Sequence, residues 1–82
     1  MKIYSVYVIQ SELNQSYYVG MAIDVHTRLK EHNAGKSTYT KAFIPWRLLY
    51  SEEIGEASLA RKREKYLKST AGKNFLRKNK II

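Results

Sequence analysis

At 82 residues the chain is expected to form one domain spanning 1–82, near the lower size at which a single core suffices without staples. It has no Cys and nowhere 18 consecutive apolar residues, which excludes disulfides, thiolate metal sites and an apolar membrane-spanning helix, and a cytoplasmic protein is expected. Residues 1–56 balance six bases (Lys2, Arg28, Lys30, Lys36, Lys41, Arg47) against six acids (Glu12, Asp24, Glu31, Glu52, Glu53, Glu56), so the net charge of +8 lies wholly in residues 57–82, where nine bases face Glu64 alone.

In chain order, "IYSVYVIQ" (3–10) is rich in β-branched and aromatic residues and reads as a strand, "SELNQ" as a turn and "SYYVGM" (16–21) as the returning strand of a hairpin. "DVHTRLKEHN" (24–33) reads as a short helix with Asp24 as N-cap and Gly35 just past its end. The basic tract 34–45 is turn-like, and Pro45 separates it from a third strand, "WRLLYSEE" (46–53), in which Trp46, Leu48 and Tyr50 alternate as core residues. A second helix follows in "EASLARKREKYLKST", and "GKNFLRKN" forms a third, with Phe75 and Leu76 as packing residues. The order ββαβα(α) predicts an α+β domain, a mainly antiparallel three-stranded sheet flanked by helices.

Alternation along strands gives the hairpin a chemical reading. Tyr7 shares a face with Ile3, Ser5 and Ile9, while Ser16, Tyr18 and Gly20 share a face on the second strand. If residues 7 and 18 are opposite, both phenols emerge together, with Ser5, Ser16 and Gly20 leaving room for a ligand; a slip of one residue separates them, and the turn sequence does not fix the register. Arg28 and His32 lie four apart on one helical stripe, a spacing equally met by an exposed Arg and a His at a helix end. On the second helix Ala57, Ala60, Glu64, Leu67 and Ala71 form an apolar stripe interrupted by Glu64. A carboxylate there needs a partner, which a metal ion would supply; a Glu64–Lys68 pair is the competing account. The basic block favours a polyanion, nucleic acid above all, through counterion release, or serves simply as a solvated face. Tyr39 suits either a loop anchor or a nucleic-acid contact.

With Tyr7, Tyr18, Gly20, Arg28, His32 and Glu64 identified, the chain resembles the GIY-YIG nuclease superfamily. The name motifs appear as Ser5-Val6-Tyr7 and Tyr18-Val19-Gly20, and the stretches "RLKEHNAGKSTYTK", "PWRLLY" and "RKREKYLK" are most similar to small, stand-alone bacterial members. Ser5 replaces the first Gly of the motif, a mild change because the chemistry belongs to the Tyr. The resemblance implies an endonuclease acting on DNA, including branched, damaged or single-stranded forms met in DNA repair, with Tyr7, Tyr18, Arg28, His32 and Glu64 catalytic. Glu64 would be the ligand of a single Mg²⁺ or Mn²⁺, since one carboxylate is too few for a two-metal site. Arg28 would stabilise charge on the phosphate, Tyr7 would be the first choice of base, Tyr18 would position water or phosphate, and His32 would assist. Lys36, Lys41, Arg61, Lys65, Lys68 and Asn74 would contact nucleic acid, Asn74 being preferred to Asn79 as the family's Asn. A nucleic-acid-binding module on the same fold, with weak or no cleavage and a partner protein supplying target choice, is the alternative.

Overall fold

The computed structural model describes residues 2–82. The elements are β1 (Tyr4–Ser11), β2 (Tyr17–Ala22), α1 (Val25–Asn33), a 3₁₀ turn (Thr40–Phe43), β3 (Trp46–Gly55), α2 (Ala57–Lys68) and α3 (Thr70–Lys78). The sheet has the order β2-β1-β3, and both pairings are antiparallel. The α+β class and element order match the sequence reading, with strand ends displaced by one or two residues.

β1 is the central strand, and its alternation serves both faces of the sheet. Val6 and Val8 enter a core with Val19, Ala60, Leu67 and Leu76, which joins the sheet to α2 and α3. Tyr7 and Ile9 enter a second core with Trp46, against which Tyr18, Val25, Leu29, Phe43 and Leu48 pack; this joins the sheet to α1 and the 3₁₀ turn. Every residue from Val6 to Ser11 is buried, which is what a middle strand covered on both faces requires.

The hairpin register is set by Ser11. Its hydroxyl accepts from the amides of Leu13 (3.0 Å) and Asn14 (3.2 Å) and donates to the carbonyl oxygen of Phe43 (2.6 Å), while Gln15 takes a left-handed φ of 64° to complete the reversal. Tyr7 consequently stands opposite Gly20, and Tyr18 stands opposite Ile9. The two tyrosines are diagonal neighbours rather than directly opposed, but an offset of two residues keeps them on one face.

Three local features depart from the sequence reading. A register shift between Val8 and Ile9 interrupts the β1–β3 ladder, so Leu48 packs with Trp46 on the α1 face while Leu49 and Tyr50 pack on the α2 face; strict alternation of Trp46, Leu48 and Tyr50 fails at this bulge. The second helix stops at Lys68, where the chain turns sharply at Ser69, and Ala71 is exposed on α3 instead of continuing the α2 stripe. Residues 40–43, read as turn-like, form a 3₁₀ turn whose Thr40 is fully buried.

Arg63 ties α2 to β3 and α3. Arg63 pairs with Glu52 of β3, which also accepts from the Tyr50 hydroxyl (2.6 Å), and its guanidinium lies 5.0 Å from the Tyr66 ring centre and 4.9 Å from that of Phe75.

Candidate active site

α1 supplies two of the polar groups. Asp24 caps it as expected, its Oδ1 accepting from the Thr27 amide (3.0 Å), and the chain leaves the helix through Gly35 at φ 79°. This orientation sends His32 inward: it is 0% exposed, and its Nε2 lies 2.8 Å from the Tyr7 hydroxyl. The buried position decides against a His that merely caps the helix end. On the other side of the ring, His32 Nδ1 lies 2.6 Å from Thr40 Oγ1, and the Thr40 carbonyl accepts from Trp46 Nε1 (2.8 Å). A buried line of groups therefore runs Tyr7–His32–Thr40. Thr40 was missed in the sequence because "STYTK" reads as a polar loop, with no periodicity to mark the one side chain that turns in.

Tyr7 is 1% exposed, and Gly20 makes its position possible. A Cβ built on Gly20 would lie 2.6 Å from Tyr7 Cζ and 3.1 Å from Tyr18 Cε2, so the phenol rests directly against bare backbone of β2. The space that the sequence offered to a ligand is thus filled by Tyr7 itself. Burial first, then the neighbouring Tyr18, pushes the Tyr7 pKa up to about 12; Arg28 acts the other way, and the charge of Glu64 adds to the rise. Burial likewise pushes the His32 pKa down, with the Arg28 charge adding to the effect, and the imidazole is neutral at neutral pH.

Arg28 is part-exposed and pairs with Glu31 across 3.0 Å, an arrangement that holds the guanidinium beside the cluster without burying it. Tyr18 completes the face. Its ring centre is 6.5 Å from that of Tyr7 and 5.2 Å from that of His32, the latter edge-on, and it stacks on Tyr39 at 5.9 Å with 28° between planes.

Glu64 lies on α2, which packs on the opposite face of the sheet from Tyr7. Its side chain is 21% exposed and lies 3.7 Å from Lys68 Nζ, so the position on the inward stripe and the i,i+4 pair coexist. Its charge is the smallest of the influences on the Tyr7 pKa. Among the described residues no group of three or more His, Cys, Asp or Glu side chains is placed to hold a metal. A single half-buried carboxylate fits one hard cation that keeps most of its water ligands; it does not fit a two-metal site.

The remaining sequence-stretch candidates are dispersed. Lys36 and Lys41 are exposed near the 3₁₀ turn, Arg61, Lys65 and Lys68 are exposed on α2, and Asn74 is exposed on α3. Asn79 caps α3, its Nδ2 donating to the Phe75 carbonyl (2.8 Å). Alongside β2 runs a groove of about 550 Å³ whose lining includes Tyr18, Tyr39, Lys68, Lys73 and Arg77.

The sequence matches the family described as the GIY-YIG catalytic domain over residues 3–79. The chain belongs to the GIY-YIG family. It is similar to a UPF0213 protein of Streptococcus pneumoniae serotype 4, 35% identical over 74% of this chain and 75% of the relative. A UPF0213 protein of Streptococcus sanguinis is 54% identical over 39 residues, a match that spans less than half of either chain, 46% of this one and 45% of the relative. Among solved structures, the solution NMR structure of the UPF0213 protein BH0048 from Bacillus halodurans is similar with a TM-score of 0.56 and 30% identity, covering 95% of this chain and 85% of that one. The likeness supports kinship with the UPF0213 proteins and the antiparallel α+β fold, within a family of nucleases. The names of these relatives state no activity. None of the helices is long and apolar enough to cross a membrane among the described residues.

Proposed function

We propose that this GIY-YIG domain is an endonuclease that hydrolyses phosphodiester bonds in DNA with one divalent cation, and that it works in the cytoplasm. The observation that carries the reading is the Tyr7 phenol held 2.8 Å from a buried, neutral His32, with Arg28 beside it and Glu64 within electrostatic range.

Arg28 presents a planar fork of donors that suits two phosphoryl oxygens and the charge that grows on them as water attacks. Tyr7 accepts the proton of that water as its own phenolic proton passes to His32 Nε2; with a free-protein pKa of about 12, the phenol needs this outlet to act as a base near neutrality. The step requires the His32 tautomer that carries its proton on Nδ1, where Thr40 Oγ1 accepts it at 2.6 Å. Tyr18 packs edge-on against His32 and fixes the wall along which substrate approaches. Glu64 would hold the Mg²⁺ or Mn²⁺, which when bound supplies Lewis-acid neutralisation of the phosphoryl and leaving oxygens. Lys36, Lys41, Arg61, Lys65 and Lys68, with Asn74, are proposed to contact the phosphate backbone, and a partner protein to supply target choice.

The test is incubation of the purified protein, with Mg²⁺ or Mn²⁺, with duplex, flap, junction and single-stranded DNA beside its Glu64→Gln variant. Wild type is expected to nick at least one substrate, and the variant to lose nicking but keep salt-sensitive binding. If wild type cuts none of them, the nuclease reading fails and a binding module replaces it; if Glu64→Gln cuts equally well, Glu64 is not the metal ligand of the reaction.

A further inference from the structure

The groove beside β2 has a composition that the hydrolytic cluster does not use. The lining includes the Tyr18–Tyr39 stack, and Tyr39 is 58% exposed although Tyr18 stacks on it and the Phe43 ring centre lies 6.0 Å away. The lining also includes Lys68 of α2 and Lys73 and Arg77 of α3, and the volume of about 550 Å³ falls within the range of small-ligand sites. Aromatic rings at one end of the lining and three cations at the other, with Val19, Leu67 and Leu76 between them, suit a ligand that combines a planar ring with negative charge. Neither an apolar peptide nor an acidic one offers both.

We propose that this groove takes an unpaired nucleotide of a nucleic-acid strand, with its base stacked on Tyr39 and the flanking phosphates on Lys68, Lys73 and Arg77. The base must be unpaired because the ring faces of a paired base are covered by its neighbours in the duplex, so only an extruded or single-stranded base can lie on Tyr39. Tyr18 belongs both to this stack and to the Tyr7–His32 cluster, so a nucleotide bound here lies next to the proposed cleavage position. The groove thereby selects strands that are single or locally opened beside the cut. The inference rests on the reading of the chain as a nucleic-acid-handling protein and names the substrate class of that site.

Fluorescence anisotropy in EDTA, where no metal permits cleavage, tests it with labelled deoxythymidine oligomers, abasic oligomers of equal length and blunt duplexes. The thymidine oligomer is expected to bind about 5- to 150-fold more tightly than the abasic one, the range that one stacked base supplies. Tyr39→Leu should collapse that ratio toward one, and Tyr39→Phe, which keeps the ring, should retain it; Tyr39 is exposed enough for both variants to fold, which circular dichroism checks. A wild-type ratio near one, a ratio indifferent to Tyr39→Leu, or a duplex bound as tightly as the thymidine oligomer overturns the proposal. Since the readout is metal-free binding, failure to cleave DNA leaves the ratio standing, and a ratio of one leaves the cleavage reading intact.

Discussion

A phenol that is 1% exposed makes Tyr7 a core side chain as well as the centre of the polar cluster, and Gly20 is the residue that lets it be both. Gly20→Ala should force the ring from its seat and destabilise the domain by roughly 1–3 kcal/mol, the usual cost of overpacking; an unchanged denaturant midpoint would show that the phenol relocates freely. Tyr7→Phe keeps the packing and removes only the hydroxyl, so single-turnover cleavage should fall by about 10²- to 10⁴-fold with little loss of fold, and intact turnover would remove Tyr7 from the mechanism. His32 gives a pH signature with a definite sign. Burial lowers its folded pKa below the ordinary 6.5, so the unfolded chain binds more protons in acid, and stability present above about pH 6.5 should drain away as pH falls. For Tyr7 the folded pKa is raised from 10.0 to about 12, so the folded chain holds its proton longer and stability should decline as pH rises across that interval. Denaturant midpoints measured from pH 5 to 8 check the first effect, and a flat profile there would contradict a buried neutral imidazole. The hairpin and the helices that carry Tyr7, Tyr18, Arg28, His32 and Glu64 were legible in the sequence, but parity left the strand register open and the Arg28–His32 spacing suited an exposed pair equally; the resemblance to the GIY-YIG family is what singled the five out together. Thr40 and the Tyr39 stack were not, because they depend on how an aperiodic loop folds over Trp46.

At the scale of elements, the junction of α2 and α3 falls about two residues earlier than the sequence pattern puts it, α2 ending at Lys68 and α3 starting at Thr70. Ser69 Oγ donates to the Tyr66 carbonyl (2.5 Å) and accepts from the Gly72 amide (3.2 Å), ending one helix and starting the next. Ser69→Ala should therefore cost about 0.5–2 kcal/mol, the usual value of an N-cap, read as a lower melting temperature; no change would mean that the helices are positioned by core contacts alone. A Cβ on Gly72 would lie 2.7 Å from the Tyr66 carbonyl carbon, so the two helices approach as closely as bare backbone allows. The apolar stripe Ala57, Ala60, Glu64, Leu67 correctly indicated the inward side of α2, but its extension to Ala71 assumed an unbroken helix. A Ser-Thr pair within a long basic run gives weak warning of a turn when no Pro or Gly marks it. The bulge after Val8 was hidden for a related reason, since inserting a residue alters facing without altering composition.

For the whole molecule, charge and topology act together. Nine of the fifteen bases follow residue 56, and Lys68, Lys73 and Arg77 from that block line the groove beside β2. Binding to DNA should weaken steeply with salt, and Lys73→Ala or Arg77→Ala should each reduce the slope of log K against log salt by about one if each contacts a phosphate. An unaltered slope would place those side chains off the nucleic-acid path. β1 is hydrogen-bonded on both edges and feeds one core with Val6 and Val8 and the other with Tyr7 and Ile9. Both cores hang on this one central strand, so a urea titration followed by helical ellipticity and by Trp46 emission should trace one coincident curve.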